Sequence, residues 1–272
     1  MAGSADQPAP SGTEGEPSFG LSLVERRGLI ALAHPVSCGP TTLDLLELEI
    51  PGIEFPFDLS GGPGQFRNRR CQLHQATLTI TEQAAQSWLE ARIEPGAAAC
   101  ARPRLRLAPG VIVVSGEASD GERSAPFFCR GFVRRHDDHL VRLGLFDLRI
   151  LGPLGISAPR VAASLLQAAG ARPDPGAPLR LVGCCDVVFD PLSPVLLRTL
   201  PLGGWRLPRL RDARLVTMDV LPELRVLALR FADRPAGSPE PGVETIEQAR
   251  RNEAVHRGKE RFAAAEQRIL AS

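Results

Sequence analysis

Through most of the chain apolar residues recur at every second position, the spacing that puts one side of a β-strand in a core and the other in water. In Thr42–Ile50, Leu46, Leu48 and Ile50 fall on one side while Glu47 and Glu49 fall on the other. "RRCQLHQATLTI", 69–80, continues the alternation with Ala76, Leu78 and Ile80. The period then changes. "TEQAAQSWLEARI", 81–93, sets Ala84, Ala85, Trp88 and Leu89 at helical spacing behind Thr81, whose hydroxyl suits an N-cap.

A four-strand meander follows: "PRLRL", "GVIVVSGEAS", "PFFCRGFVRR" and "HLVRLGLFDLRIL", separated by turn residues at 108–110, 120–124 and 136–138. Ser157 and Pro159 open a helix, "RVAASLLQAA", that Gly170 closes. "LRLVGCCDVVF", 179–189, reads as one strand, "LSPVLLRTL" as a short helix, and "ARLVTMDV" with "LRVLALRF" as a last hairpin. Helices are dispersed among strands rather than alternating with them, so a parallel sheet with one crossover helix per strand is excluded. The expected fold class is α+β, a strongly curved antiparallel sheet wrapped around helices, over residues 21–231. Residues 1–20 read as a disordered tail, 232–242 as a linker, and 243–272 as a charged helix able to recruit a protein partner.

The meander is apolar on both sides. Val111 and Val113 oppose Ile112, Val114 and Ala118; Leu140, Phe146, Leu148 and Ile150 oppose Val141, Leu143 and Leu145. An antiparallel sheet with one wet face alternates more cleanly. Either the sheet is sandwiched in a dry core, or its concave face lines an apolar tunnel beside a helix.

The stretch "IPGIEFPFDLSGGPGQFRNRRCQLHQATLTI", 50–80, with the short helix and meander after it, resembles bacterial members of the tubular lipid-binding superfamily, relatives of bactericidal/permeability-increasing protein. "LPLGGWRLPRLRDARLVTMDVLPELRVLALRF", 200–231, is similar to their closing segment. The resemblance implies a long helix wrapped by a bent sheet, with a phospholipid or fatty acid held between them. On that reading Val161, Leu165 and Leu166 of the helix face Val113, Phe132, Leu143, Leu145 and Val187 across the ligand, and Arg67, Arg69 and Arg70 meet the headgroup. Each buried methylene then contributes about 0.8 kcal/mol without directional contacts. The rival expectation is a ligand-free interaction or scaffold module.

Composition narrows the chemistry. A formal net charge of +1 over 272 residues argues against a protein that works through a strong field. Nearly all the basic residues are arginines, a bias that genome composition produces, and the basic runs "RNRR" and "RLPRLRDAR" lack the interleaved aromatics that base stacking needs. Nucleic acid is therefore not an expected partner; a lipid or other apolar small molecule is, with contact to a membrane surface. "HDDH", 136–139, reads as a solvated turn rather than a metal site, and Glu47 and Glu49 as a polar strand face. "SGGPG", 60–64, lacks the G-K-[ST] ending of a phosphate loop. No G-x-S-x-G or C-x-x-C occurs, so no enzyme, metal or cofactor is expected. Cys184 and Cys185, taken as strand neighbours, point to opposite faces, and all six cysteines read as buried or half-buried thiols. With no leader and no apolar run near the ~20 residues of a membrane span, the expected location is cytoplasmic, with peripheral membrane association.

Overall fold

The computed structural model describes residues 18–24, 27–50, 69, 71–93, 99–208, 210 and 213–233. Strands β1 (Phe19–Val24), β2 (Arg27–Leu32), β3 (Val36–Cys38), β4 (Thr41–Ile50) and β5 (Gln72–Thr81) come first, followed by helix α1 (Glu82–Glu90). The meander is β6 (Cys100–Ala108), β7 (Val111–Ser119), β8 (Ser124–Arg135) and β9 (Val141–Ile150). Helix α2 (Ala158–Ala168), strands β10 (Leu179–Leu181) and β11 (Asp186–Phe189), helix α3 (Ser193–Thr199) and the hairpin β12 (Ala213–Leu221) and β13 (Val226–Asp233) complete the order.

The fold is α+β and its strand ladders are antiparallel, but they form two sheets rather than one curved sheet. One has seven strands in the order β1-β2-β4-β5-β13-β12, with β3 paired to β4; the other has six, β10-β11-β9-β8-β7-β6. A long-range pairing within the seven-stranded sheet sets this division. Residues 226–232 of β13 lie against 75–81 of β5, so everything from α1 to α3 is an excursion from the seven-stranded sheet. The six-stranded sheet is that excursion. Phe19 and Gly20 begin β1, and Ala232 and Asp233 end β13, so the strands reach past the expected 21–231 boundaries at both ends. The expected linker beyond Asp233 and the helix at 243–272 lie outside the described residues.

Two clusters of buried side chains account for the packing. In the first, Leu46, Leu48, Leu78, Leu229 and Phe231 of the seven-stranded sheet close on Val195 and Leu196 of α3, with Leu107 and Val141 reaching in from the six-stranded sheet. In the second, Val114, Phe127, Cys129, Leu145 and Val187 close on α2, with Leu89 of α1 at the margin. The Leu215 amide donates to the Asp138 carbonyl at 2.6 Å, tying one sheet to the other.

Local signals behave as their chemistry dictates. Thr81 Oγ1 accepts from the Ala84 amide at 3.1 Å and starts α1. Ser157 takes the N-cap position of α2 without a side-chain bond; Pro159, with its fixed φ, sits in the first turn. No helix among the described residues is long and apolar enough to cross a membrane.

The expected parity of β9 is overturned past its middle. Asp147 adopts φ +51°, and the β8–β9 register shifts between Phe128 and Arg130. A bulge of this kind returns the next residues to the face they would otherwise leave. Leu148 and Ile150 therefore join Leu143 and Leu145 against α2, instead of sharing a face with Phe146.

Candidate functional site

The six-stranded sheet presents two faces of different chemistry, and residues directly opposite in an antiparallel ladder share a face. Leu145 pairs with Gly131, Leu143 with Val133 and Val187 with Leu143; these form the helix-side face. Phe132 pairs with Gly144, and Arg130 pairs with both Val113 and Phe146; these form the other. The structure therefore separates the residues expected to line one tunnel. Leu143, Leu145, Val161, Leu165, Leu166 and Val187 come together beside α2. Val113 and Phe132 do not join them, because the pleat turns each to the opposite side of the sheet.

On the helix side the space is closed. Val161 and Val187 have 0% exposure and are enclosed by protein atoms, and Leu166 at 3% and Leu165 at 4% are nearly so. The Ser164 hydroxyl accepts from the Ala99 amide at 3.0 Å and fixes α2 to the start of β6. Of the expected headgroup residues, Arg69 is exposed, while Arg67 and Arg70 lie outside the described residues.

The outer face is built from β8's own alternation. Phe128, Arg130, Phe132 and Arg134 follow one another at every second position, while Phe127, Cys129, Gly131 and Val133 point to the helix side. Neighbouring strands extend the pattern. Arg142 stands opposite Arg134, Val188 opposite Arg142 and Arg180 opposite Val188. Guanidiniums thus recur across β8, β9 and β10, with strands ~4.8 Å apart. Arg106, opposite Val113, adds a further cation toward the β6 edge.

Aromatic rings and carboxylates organise these cations. Arg134 lies over the Phe132 ring at 5.3 Å and Arg130 over Phe128 at 5.9 Å, an attraction between cation and ring quadrupole. Phe132 and Phe146 sit 5.8 Å apart at a tilt. Arg142 Nε donates to Asp186 Oδ1 at 2.9 Å, and that bond raises the guanidinium pKa further. Asp147, held at the bulge, takes Arg149 Nε at 3.1 Å and Arg130 Nη1 at 3.6 Å. Gly144 lets Phe132 lie flat on the sheet: a Cβ there would meet the Phe132 ring and come within 2.6 Å of Asp186 Oδ1.

Other polar groups explain themselves structurally. Asp190 Oδ1 accepts from the amides of Leu192 and Ser193 at 2.9 and 3.0 Å, and its Oδ2 from the Ser193 hydroxyl. His139 Nε2 lies 3.8 Å from the same carboxylate. The Ser193 hydroxyl is thus turned to the carboxylate rather than to the imidazole, and Asp190 holds the amides that lead into α3. Among the described residues no three His, Cys, Asp or Glu side chains converge as metal ligands. Burial pushes the Cys71 thiol up to about 11 and Cys129 up to about 12, the latter with help from the neighbouring Cys100 and Cys185.

The Phe-Arg-Phe-Arg alternation is a signal the sequence carries but the basic runs at 67–70 and 206–214 obscure. Those runs are contiguous, whereas a sheet face is written at every second residue. Comparison of the chain with protein-family models, with curated proteins and with solved structures finds no match.

Proposed function

We propose that the chain is a non-catalytic binding module whose outer six-stranded face takes an acidic segment of a partner protein. The observation that carries this reading is the placement of Arg134, Arg142 and Arg180 across three strands of one face, with exposed Arg106 beyond them. Carboxylate is the anion that suits it. The bonds this face already makes are guanidinium–carboxylate bonds, Arg142 to Asp186 and Arg149 to Asp147, and an arginine fork matches two carboxylate oxygens. Arginine already lies over the Phe132 and Phe128 rings, so the rings orient cations rather than offer open platforms for bases.

Carriage of a phospholipid or fatty acid between α2 and the sheet, with the tubular lipid-binding fold, is the competing reading. The filled contacts around Val161 and Val187 and a longest described helix of 11 residues weigh against it.

Binding of a fluorescein-labelled polyglutamate peptide, read by anisotropy, tests the proposal against a single-stranded RNA and phosphatidylserine vesicles. Reversal of two exposed cations, Arg106→Glu with Arg134→Glu, should weaken peptide binding roughly tenfold or more, since exposed pairs contribute up to about 1 kcal/mol each. Peptide affinity unchanged by the double reversal sinks the proposal, as does binding confined to RNA or vesicles. Lipid retained by the purified protein in native mass spectrometry would favour carriage instead.

A further inference from the structure

The segment read as one strand, 179–189, is a hairpin. β10 pairs with β11, and the chain reverses through Val182–Cys185. The Val182 amide donates to the Asp186 carbonyl at 2.9 Å, and the Leu145 amide to the Cys185 carbonyl at 2.7 Å, which pins the turn to β9. In a strand, adjacent thiols would diverge. In this turn they converge: Cys184 Sγ and Cys185 Sγ are 3.3 Å apart. Cys184 is exposed, and Cys185 packs against the α2 cluster, so the expectation of six sheltered thiols fails at Cys184.

We infer that Cys184 and Cys185 form a redox-active dithiol that small disulfides of the glutathione class oxidise to a vicinal disulfide. A thiolate at exposed Cys184 attacks the oxidant's S–S bond, which breaks as a Cys184–glutathione bond forms and one glutathione thiol leaves. Cys185, deprotonated, then attacks the Cys184 sulfur and expels the second glutathione. Two protein S–H bonds and the oxidant's S–S bond are lost and one protein S–S bond is gained. Both electrons and both protons end on the two released thiols. To close, the sulfurs move from 3.3 Å to the ~2.05 Å of an S–S bond. Adjacent α-carbons lie ~3.8 Å apart, closer than those of ordinary disulfides, so the product is strained and readily reduced. This dithiol is independent of what binds the arginine face.

The two steps differ in pH dependence. Burial, the Cys184 hydrogen bond, and the Cys184 and Asp186 charges push the Cys185 thiol up to about 11. Once glutathione occupies Cys184, its hydrogen bond and charge are gone, but burial and Asp186 still hold the Cys185 thiol up. Because the attacking species is the thiolate, ring closure should accelerate as pH rises above neutral.

Mass spectrometry after glutathione disulfide treatment tests the inference. The protein is quenched with an alkylating agent and digested with trypsin. The peptide Leu181–Arg198 contains these two cysteines alone. It should be recovered unalkylated and lighter by two hydrogens, and dithiothreitol should restore two alkylatable thiols. Cys185→Ser should trap glutathione on Cys184, and Cys184→Ser should prevent both closure and adduct. A wild-type peptide that keeps two alkylated cysteines, or that still retains glutathione on Cys184 after incubation at alkaline pH, overturns the inference. So does a cross-link from this peptide to Ser124–Arg130, which carries Cys129.

Discussion

Arg134 and Arg142 stand directly opposite one another across the β8–β9 ladder, and each guanidinium is held by a different kind of partner. Arg142 Nε donates to Asp186 Oδ1 at 2.9 Å, while Arg134 lies over the Phe132 ring at 5.3 Å. Like charges directly opposite in a sheet repel, so the carboxylate and the ring are what let two arginines share one rung.

Asp186→Asn removes the countercharge and leaves the repulsion. Its urea midpoint should fall, and Arg134→Gln in the same chain should recover part of the loss. A double-mutant cycle measures the coupling. Strict additivity of the two substitutions would mean that Asp186 does not offset the charge that Arg134 meets across the rung.

Gly144→Ala tests the seat of Phe132. The added methyl competes for the space of the Phe132 ring and Asp186 Oδ1, an overpacking that typically costs about 1–3 kcal/mol. The ring must swing away, taking the Arg134 stack with it. Peptide binding on the arginine face should weaken along with stability. Chemical denaturation and the anisotropy assay read the two effects separately.

Leu165→Ala tests the opposite face. Leu165 is 4% exposed against the six-stranded sheet, and such a truncation costs about 2–5 kcal/mol. Since α2 packs on the helix side, affinity for polyglutamate should stay at the wild-type value in the folded fraction. Loss of affinity in a variant that remains folded would tie α2 to the binding face.

Asp120 supplies a pH test. Its Oδ1 accepts from the amides of Glu122 and Arg123, and its Oδ2 from the Gly155 amide at 3.0 Å. These bonds, Gly155's the largest influence, hold its carboxyl below the ordinary 3.8. A depressed folded-state pKa contributes stability above the unfolded value and loses it as pH falls through the folded one. Thermal stability followed downward from pH 5 should therefore decline less steeply in Asp120→Asn than in the wild type. Parallel pH profiles would show that the β7–β8 turn has no such linkage.

Much of the secondary structure was legible because its causes are local. The Thr81 cap, Pro159 in the first turn of α2, the Leu46–Leu48–Ile50 face and the four-strand meander all follow from residues a few positions apart. The packing of α2 was legible only in part. Val161, Leu165 and Leu166 were placed correctly against the sheet, but helical spacing tells which side of a helix is apolar, not whether the space beyond it is hollow.

What the sequence determined by itself is the kind of element at most positions and the alternation along each strand, including the Phe-Arg-Phe-Arg order of β8. Tertiary structure decided the partners and the parities. β5 met β13 across about 150 residues of chain, a pairing no short-range spacing encodes, and this divided the strands into two sheets. A single left-handed residue, Asp147, returned Leu148 and Ile150 to the helix side. One tight turn brought together two thiols that a continuous strand would have kept apart. Each outcome depends on where the backbone reverses or bulges, and one residue more or less in a strand exchanges its faces.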